Sequence, residues 1–192
     1  MTITPRQAWV ALRLLLVMTL LLGVVYPVTI WAVGRLAPEH ADGSFVTDSA
    51  GRVVGSTLIG QAFTGASWFW PRPSAAGQGY DGLASGGSNL AADNPTLIAA
   101  IATRRAAVAA ADGVAPGSVP PDALTASGSG LDPDISVAYA HEQAARVARA
   151  RGLPVDVVDR LVEAHVAGRI LGFLGEPRVN VLELNLALER MP

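Results

Sequence analysis

The hydrophobic pattern changes character twice along the chain. Leu14 to Val33 is an uninterrupted run of twenty residues without a charge. At 1.5 Å rise per residue such a run spans about 30 Å, the hydrocarbon thickness of a bilayer. Arg13 and Arg35 close its two ends, and Trp9, Tyr26 and Trp31 lie where interfacial aromatics tend to sit. Pro27, inside the run, removes a backbone donor and predicts a kink or an unwound turn. The run is longer than the apolar stretch of a cleaved signal peptide, about 7–15 residues, so a retained anchor is expected.

Beyond Arg35 the periods shorten and vary. Phe45 to Ile59 alternates β-branched positions around Asp48-Ser49-Ala50-Gly51 and predicts a hairpin. Phe63 to Leu90 holds Trp68, Phe69, Trp70 and Tyr80 amid Gly, Pro and Ser, which reads as a long irregular loop with aromatic anchors. Asn94-Pro95 is a helix start and Gly113 a stop, with Leu97, Ile98, Ile101 and Val108 as the apolar stripe between them. Leu124 to Ser127 reads as a short strand. A helix is expected from Ser136 to Arg151, with Gly152 ending it and Arg146, Arg149 and Arg151 in its last turns. Pro154 opens a third helix to Ala167, on the stripe Val157, Val158, Leu161, Val162 and Val166. The tail from Leu171 to Leu188 is apolar, and Asn180 is a candidate cap for a last helix. The fold class is α+β: one N-terminal transmembrane helix and a single globular domain. The expected partition is a cytoplasmic segment at 1–13, a transmembrane helix at 14–36 and an extracytoplasmic domain at 37–192. The orientation follows from Arg6 and Arg13 preceding the run.

Composition narrows the chemistry. Among 192 residues 16% are charged, against about 25% in ordinary soluble domains. The formal charge of −2 gives no basic face for nucleic acid. There is no cysteine, and all 14 basic residues are arginines, so disulfides, thiolate chemistry and lysine Schiff bases are excluded. His40, His141 and His165 form no ligand pair in sequence, and no metal site is expected.

Four stretches stand out: GSTLIGQAF (55–63), WFWPRPSA (68–75), SGGSNLAADNP (85–95) and TASGSGLDPDIS (125–136). A fifth, LGFLGEPRVNVLELNLAL, covers 171–188. In this order, behind a single span, they resemble the C chain of the Kdp-type potassium-transporting ATPases, over nearly the whole sequence. Asp134 departs from the family pattern, which often has histidine after Leu-Asp-Pro.

The resemblance implies an accessory, non-catalytic subunit in the plasma membrane, partnered by a channel-like potassium subunit and a P-type ATPase subunit. It implies roles in assembly and as a catalytic chaperone that raises the ATPase subunit's affinity for ATP. No catalytic residue, metal or firmly bound cofactor is expected; ATP enters through the complex. Ser85, Gly86, Gly87 and Ser88 resemble the ABC-transporter signature and are the candidate nucleotide contacts; the alternative is a Gly/Ser turn. An exported domain, however, cannot touch cytoplasmic ATP, so an effect on affinity would be long-range coupling.

Trp68, Phe69, Trp70 and Arg72 are the candidate partner surface, since aromatics and arginine dominate interface hot spots; the alternative is that they plug the domain's own core. Pro27, with Gly23, is a candidate docking kink in the span or a tolerated one. Two rival functions remain. An anchored hydrolase would use Ser127 or Ser129 with His141 or His165, but the motif is not G-x-S-x-G, and Asp132 or Asp134 capping the next helix is the plainer reading. A ligand-binding module would use the loop from Ser85 to Asn94.

Overall fold

A computed structural model of the chain describes residues 4–48 and 50–191, in two units that divide between Ser44 and Phe45. The first unit is led by one continuous helical rod of 30 residues, Pro5–Gly34, long and apolar enough to cross a membrane. It begins with a capping box: the Thr4 side chain accepts from the Gln7 N–H while the Gln7 side chain returns to the Thr4 N–H. Helix α1 (Pro5–Leu20) passes into a π turn, Leu21–Val25, and then into α2 (Tyr26–Gly34). The π turn is the answer to Pro27. With no N–H at residue 27 the Gly23 carbonyl has lost its α-helical donor, and the ladder slips: the Tyr26 N–H reaches back five residues to Leu21. Thr29 donates its hydroxyl to the Val25 carbonyl at 2.8 Å. The rod thus starts nine residues before the charge-free run, because Arg6 and Arg13 are good helix formers outside it. A short helix, α3 (Pro38–Ala41), follows.

The second unit opens with the expected hairpin, β1 (Phe45–Thr47) against β2 (Val53–Ser56), with an irregularity at Val46/Thr47. Asp48 builds the turn by accepting from the Ala50 and Arg52 N–H groups and pairing with the Arg52 guanidinium; Ser49 lies outside the described residues. The second arm stops at Ser56, not Ile59, where the Ser56 hydroxyl accepts from Leu58 and turns the chain. Residues 57–94 carry no helix or strand.

Helix α4 (Pro95–Asp112) has the predicted ends: Asn94 accepts from Thr96 N–H, and Gly113 takes the left-handed φ of 74° that closes it. Its stripe is narrower than expected. Val108 and Ala109 are buried and Ile101 packs partly buried against the core, whereas Ile98 faces away and is exposed. Leu124 to Ser127 is not a strand. A 3₁₀ turn, Pro121–Ala123, precedes it, and Leu124 is buried as part of that turn.

A three-stranded antiparallel sheet is ordered β3–β5–β4, from β3 (Asp134–Ser136), β4 (Val166–Ala167) and β5 (Arg178–Asn180). Its register puts Ile135 opposite Val179 and Val179 opposite Val166, so one apolar row faces the core. Helix α5 (Val137–Arg151) is capped by Ser136, whose hydroxyl accepts from Tyr139, and not by Asp132 or Asp134: strand pairing at 134–136 pushes the helix start past both aspartates. Helix α6 (Val155–Ala164) ends three residues early, since Val166 and Ala167 are drawn into the sheet. Helix α7 (Val181–Glu189) is capped by Asn180, which accepts from Glu183. The core lies between α5, α6, α7 and the sheet, around Tyr139, Val147, Val158, Val162, Leu184 and Leu188. Burying each such side chain contributes about 1.5–3 kcal/mol. The class is α+β, as the pattern predicted.

Candidate functional site

The long loop has no secondary structure to satisfy its backbone, yet it is threaded through the core. Buried polar side chains take over the role of a strand partner. Asn185, on α7, accepts from the Phe69 N–H at 2.9 Å and donates to the Phe69 carbonyl at 3.0 Å. Gln143, on α5, does the same to Trp70, at 2.6 and 3.1 Å. Each carboxamide offers the donor and acceptor that a neighbouring strand would. Arg146, 4% exposed, donates to the Ala66 and Trp68 carbonyls at 2.8 and 2.9 Å and to Gln143 at 2.6 Å. Its Nε contacts Asp112 at 2.6 Å, and its guanidinium lies 3.9 Å from the centre of the Trp70 ring. Arg151 repeats the pattern, donating to Ser67 and stacking 4.5 Å above Trp68.

This settles where the aromatic run goes. Phe69 is fully buried and plugs the core. Trp68 and Trp70 are half-buried, each covering an arginine. Arg146 is therefore not a dipole-complementing surface residue, as its place near the end of α5 suggested, but the centre of the clamp. Burial lifts the Asp112 carboxyl above its ordinary range against the pull of Arg146.

The motifs that follow are joined to one another. Arg72 pairs with Asp132 at 2.9 Å. Tyr80 donates its hydroxyl to the Arg72 carbonyl, and burial raises that phenol to about 12. Ser74 donates to the Gly130 carbonyl at 2.6 Å. The Ser129 carbonyl accepts from both the Ser85 hydroxyl, at 2.9 Å, and the Gly86 N–H, at 2.8 Å. The Gly-Ser segment at 85–88 and the segment at 127–130 thus lie side by side. Gly130 is needed there: at φ +67° an added Cβ would stand 2.6 Å from both Ala76 N and Gly86 O. Gly86 has no such crowding. Of the four candidate nucleotide contacts, Ser85 and Gly86 spend a donor on Ser129, while Ser88 is exposed.

Among the described residues, neither Ser127 nor Ser129 is hydrogen-bonded to a histidine. Ser127 and Ser129 face each other at 3.4 Å. His141 is held by Asp159 at 2.9 Å and Glu163 at 2.8 Å, and His165 by the Leu161 carbonyl. Hydrogen bonds to these carboxylates, Asp159 first, raise the His141 pKa above 6.5. Beside the joined loops a cleft of about 590 Å³ is lined by Arg72, Asp122, Asp132, Asp134 and Arg178. Its charges are largely committed: Asp134 pairs with Arg178 at 2.8 Å, and Asp122 accepts from Ser136 through both oxygens.

Sequence reasoning missed Gln143, Asn185 and Asp112. The available signal was a polar residue on the apolar face of a helix, as Asn185 is in Leu-Asn-Leu-Ala-Leu.

One long apolar helix, and an α+β unit whose motifs knit its irregular loops together, define a class of proteins that pair a single candidate membrane span with one small domain. A family model described as "KdpC: K+-transporting ATPase, c chain" matches residues 8–190. The chain is 62% identical over 183 residues to the potassium-transporting ATPase KdpC subunit of Kineococcus radiotolerans, covering 95% of this chain and 93% of that one. It is 51% identical to the subunit of the same name from Mycobacterium tuberculosis, over 97% and 99%, and 54% to that of Caulobacter vibrioides, over 89% and 86%. The chain belongs to the KdpC family.

Proposed function

We propose that this chain is an accessory subunit of an ATP-driven potassium-transport complex. The carrying observation is similarity along nearly the entire length, 95% of the chain at 62% identity, to a protein named for that complex. In this reading the Pro5–Gly34 helix is the membrane anchor and residues 37–192 lie on the extracytoplasmic side, with Arg6 and Arg13 left in the cytoplasm. Its partners are the channel-like potassium subunit and the P-type ATPase subunit. The chain raises the ATPase subunit's affinity for ATP by coupling between distant sites, without binding the nucleotide itself. Support for that last point is geometric: the Ser85 hydroxyl and Gly86 N–H are both aimed at Ser129.

The test has two arms. Tagged chain, expressed with the other subunits under potassium starvation, co-purifies with them in mild detergent; isolation alone overturns the reading. Ser88→Cys, in this cysteine-free background, reacts in intact cells with a membrane-impermeant maleimide. Reaction only after lysis would reverse the orientation and return 85–88 to consideration as a nucleotide contact.

A further inference from the structure

A second recess, of about 260 Å³, opens where the loop at 63–80 meets the second half of α4. Phe63, Trp70, Pro73 and Tyr80 give it flat, apolar walls. Those walls are fixed from within. The Trp70 indole donates to the Gly65 carbonyl at 2.8 Å, and the Tyr80 hydroxyl donates to the Arg72 carbonyl. Tyr80 also holds φ at +56°. A bulky residue keeps that conformation only where its surroundings enforce it.

Two polar groups in the wall are left with donors to spend. Tyr139, on α5, is 2% exposed, and its hydroxyl makes no hydrogen bond among the described residues. A phenylalanine would pack there without desolvating a hydroxyl. Burial, aided by the neighbouring Asp112 charge, holds the phenol well above its ordinary range, so it stays a donor. Arg104, on α4, also lines the recess, and no carboxylate does. Its Nη1 donates to the Leu124 carbonyl at 2.9 Å, which fixes the guanidinium and leaves further N–H groups of the fork to donate. The acids that act on Tyr139 are already answered elsewhere: Asp112 by Arg146, and Asp122 by the Ser136 hydroxyl and N–H.

We propose that this recess binds a small carboxylate carried on a flat apolar ring, with Arg104 and Tyr139 donating to the carboxylate and the ring lying among Phe63, Trp70 and Tyr80. The inference goes beyond the accessory-subunit reading and does not depend on it. Size sets the class first: pockets for drug-sized ligands run from about 300 to 1,000 Å³, so this one suits a single ring. Charge sets it next. Aromatic walls alone would suit a cation, but Arg104 stands in the wall and Arg146 already lies 3.9 Å from the centre of the Trp70 ring, so an ammonium is repelled from both. An arginine without an acid, beside a buried phenol without an acceptor, calls for an anion that takes both donors. Walls held by their own hydrogen bonds lose little freedom when the ligand enters.

The test titrates the full chain in detergent with benzoate, benzyl alcohol and benzylammonium by isothermal calorimetry. Benzoate is expected to bind saturably, and at least about tenfold more tightly than either of the others, because its bonds are charge-assisted. Tyr139→Phe is expected to melt at or above the wild-type Tm while binding benzoate about three- to tenfold more weakly. Arg104→Met weakens benzoate by at least about tenfold, and Arg104→Lys, which keeps the charge, by less. Absence of saturable benzoate binding overturns the proposal. Equal binding of the three probes also overturns it, as partition into an apolar groove. A Tyr139→Phe chain that melts well below wild type assigns the hydroxyl to the fold and overturns it, as does unchanged benzoate binding in Tyr139→Phe or Arg104→Met.

Discussion

Arg146→Met removes the centre of the clamp while keeping most of its stem. The arginine has six partners to lose: Asp112, Gln143, the Gly65, Ala66 and Trp68 carbonyls, and the Trp70 ring. Asp112 has a fully buried side chain, and its Oδ2 has no hydrogen-bond partner, so the loss leaves a stranded buried carboxylate. Breaking a buried pair from one side costs about 3–5 kcal/mol. The orphaned carbonyls push the value toward the upper end. Out of a total stability of about 5–15 kcal/mol this is a large fraction. The opposite truncation, Asp112→Ala, is milder, about 2 kcal/mol, because Arg146 keeps five oxygen or ring partners. The double variant Asp112→Ala/Arg146→Met costs less than the sum, since it strands no charge. Urea unfolding in detergent, followed by near-ultraviolet circular dichroism, supplies all three values. An Arg146→Met cost below about 1 kcal/mol, or an Asp112→Ala cost exceeding it, refutes the argument.

Three further outcomes are expected. Glu142 is pushed up to about 7 by burial and by the nearby Asp112 and Asp122 charges. The folded state therefore holds a proton that the unfolded chain releases near 4.5, and stability falls as pH rises from about 4.5 to 7. Glu142→Gln flattens that slope in pH-dependent thermal melts and is more stable than wild type at alkaline pH. His141 has the opposite chemistry but the same slope: its raised pKa gives stability fully present below pH 6.5 and lost as pH climbs through the folded value. His141→Asn removes that loss, and nuclear magnetic resonance titration of the ring shows the shift directly. Gly130→Ala forces Ala76 and Gly86 away from a Cβ at 2.6 Å and costs about 1–3 kcal/mol in Tm-derived stability, while Gly86→Ala is nearly neutral.

Local chemistry was legible where one residue decides the outcome. Asn94, Gly113, Gly152 and Asn180 each set a helix end, and each end falls where the sequence put it. Strand pairing was not legible at 134–136, 166–167 and 178–180, because two- and three-residue strands carry no period to read. The aromatic run was half legible. Its importance was plain, but its partners lie 73 and 116 residues away on α5 and α7. The irregular path of 65–70 is possible because Gln143 and Asn185 substitute for a neighbouring strand, and no short-range rule shows that substitution. The pairing of 85–88 with 127–130 was hidden for the same reason: each segment, read alone, is a turn.

The π turn at Leu21–Val25 has a geometric effect along the rod. One additional residue in a turn is a phase slip of about 100°. Thr29, Trp31 and Val33 therefore sit on a different azimuth, relative to Val10 and Val17, than heptad counting from the N-terminus assigns. Any partner surface grooved to fit both halves of the helix must twist across the same turn. Deleting a single residue there would re-phase the lower half while leaving its composition almost untouched.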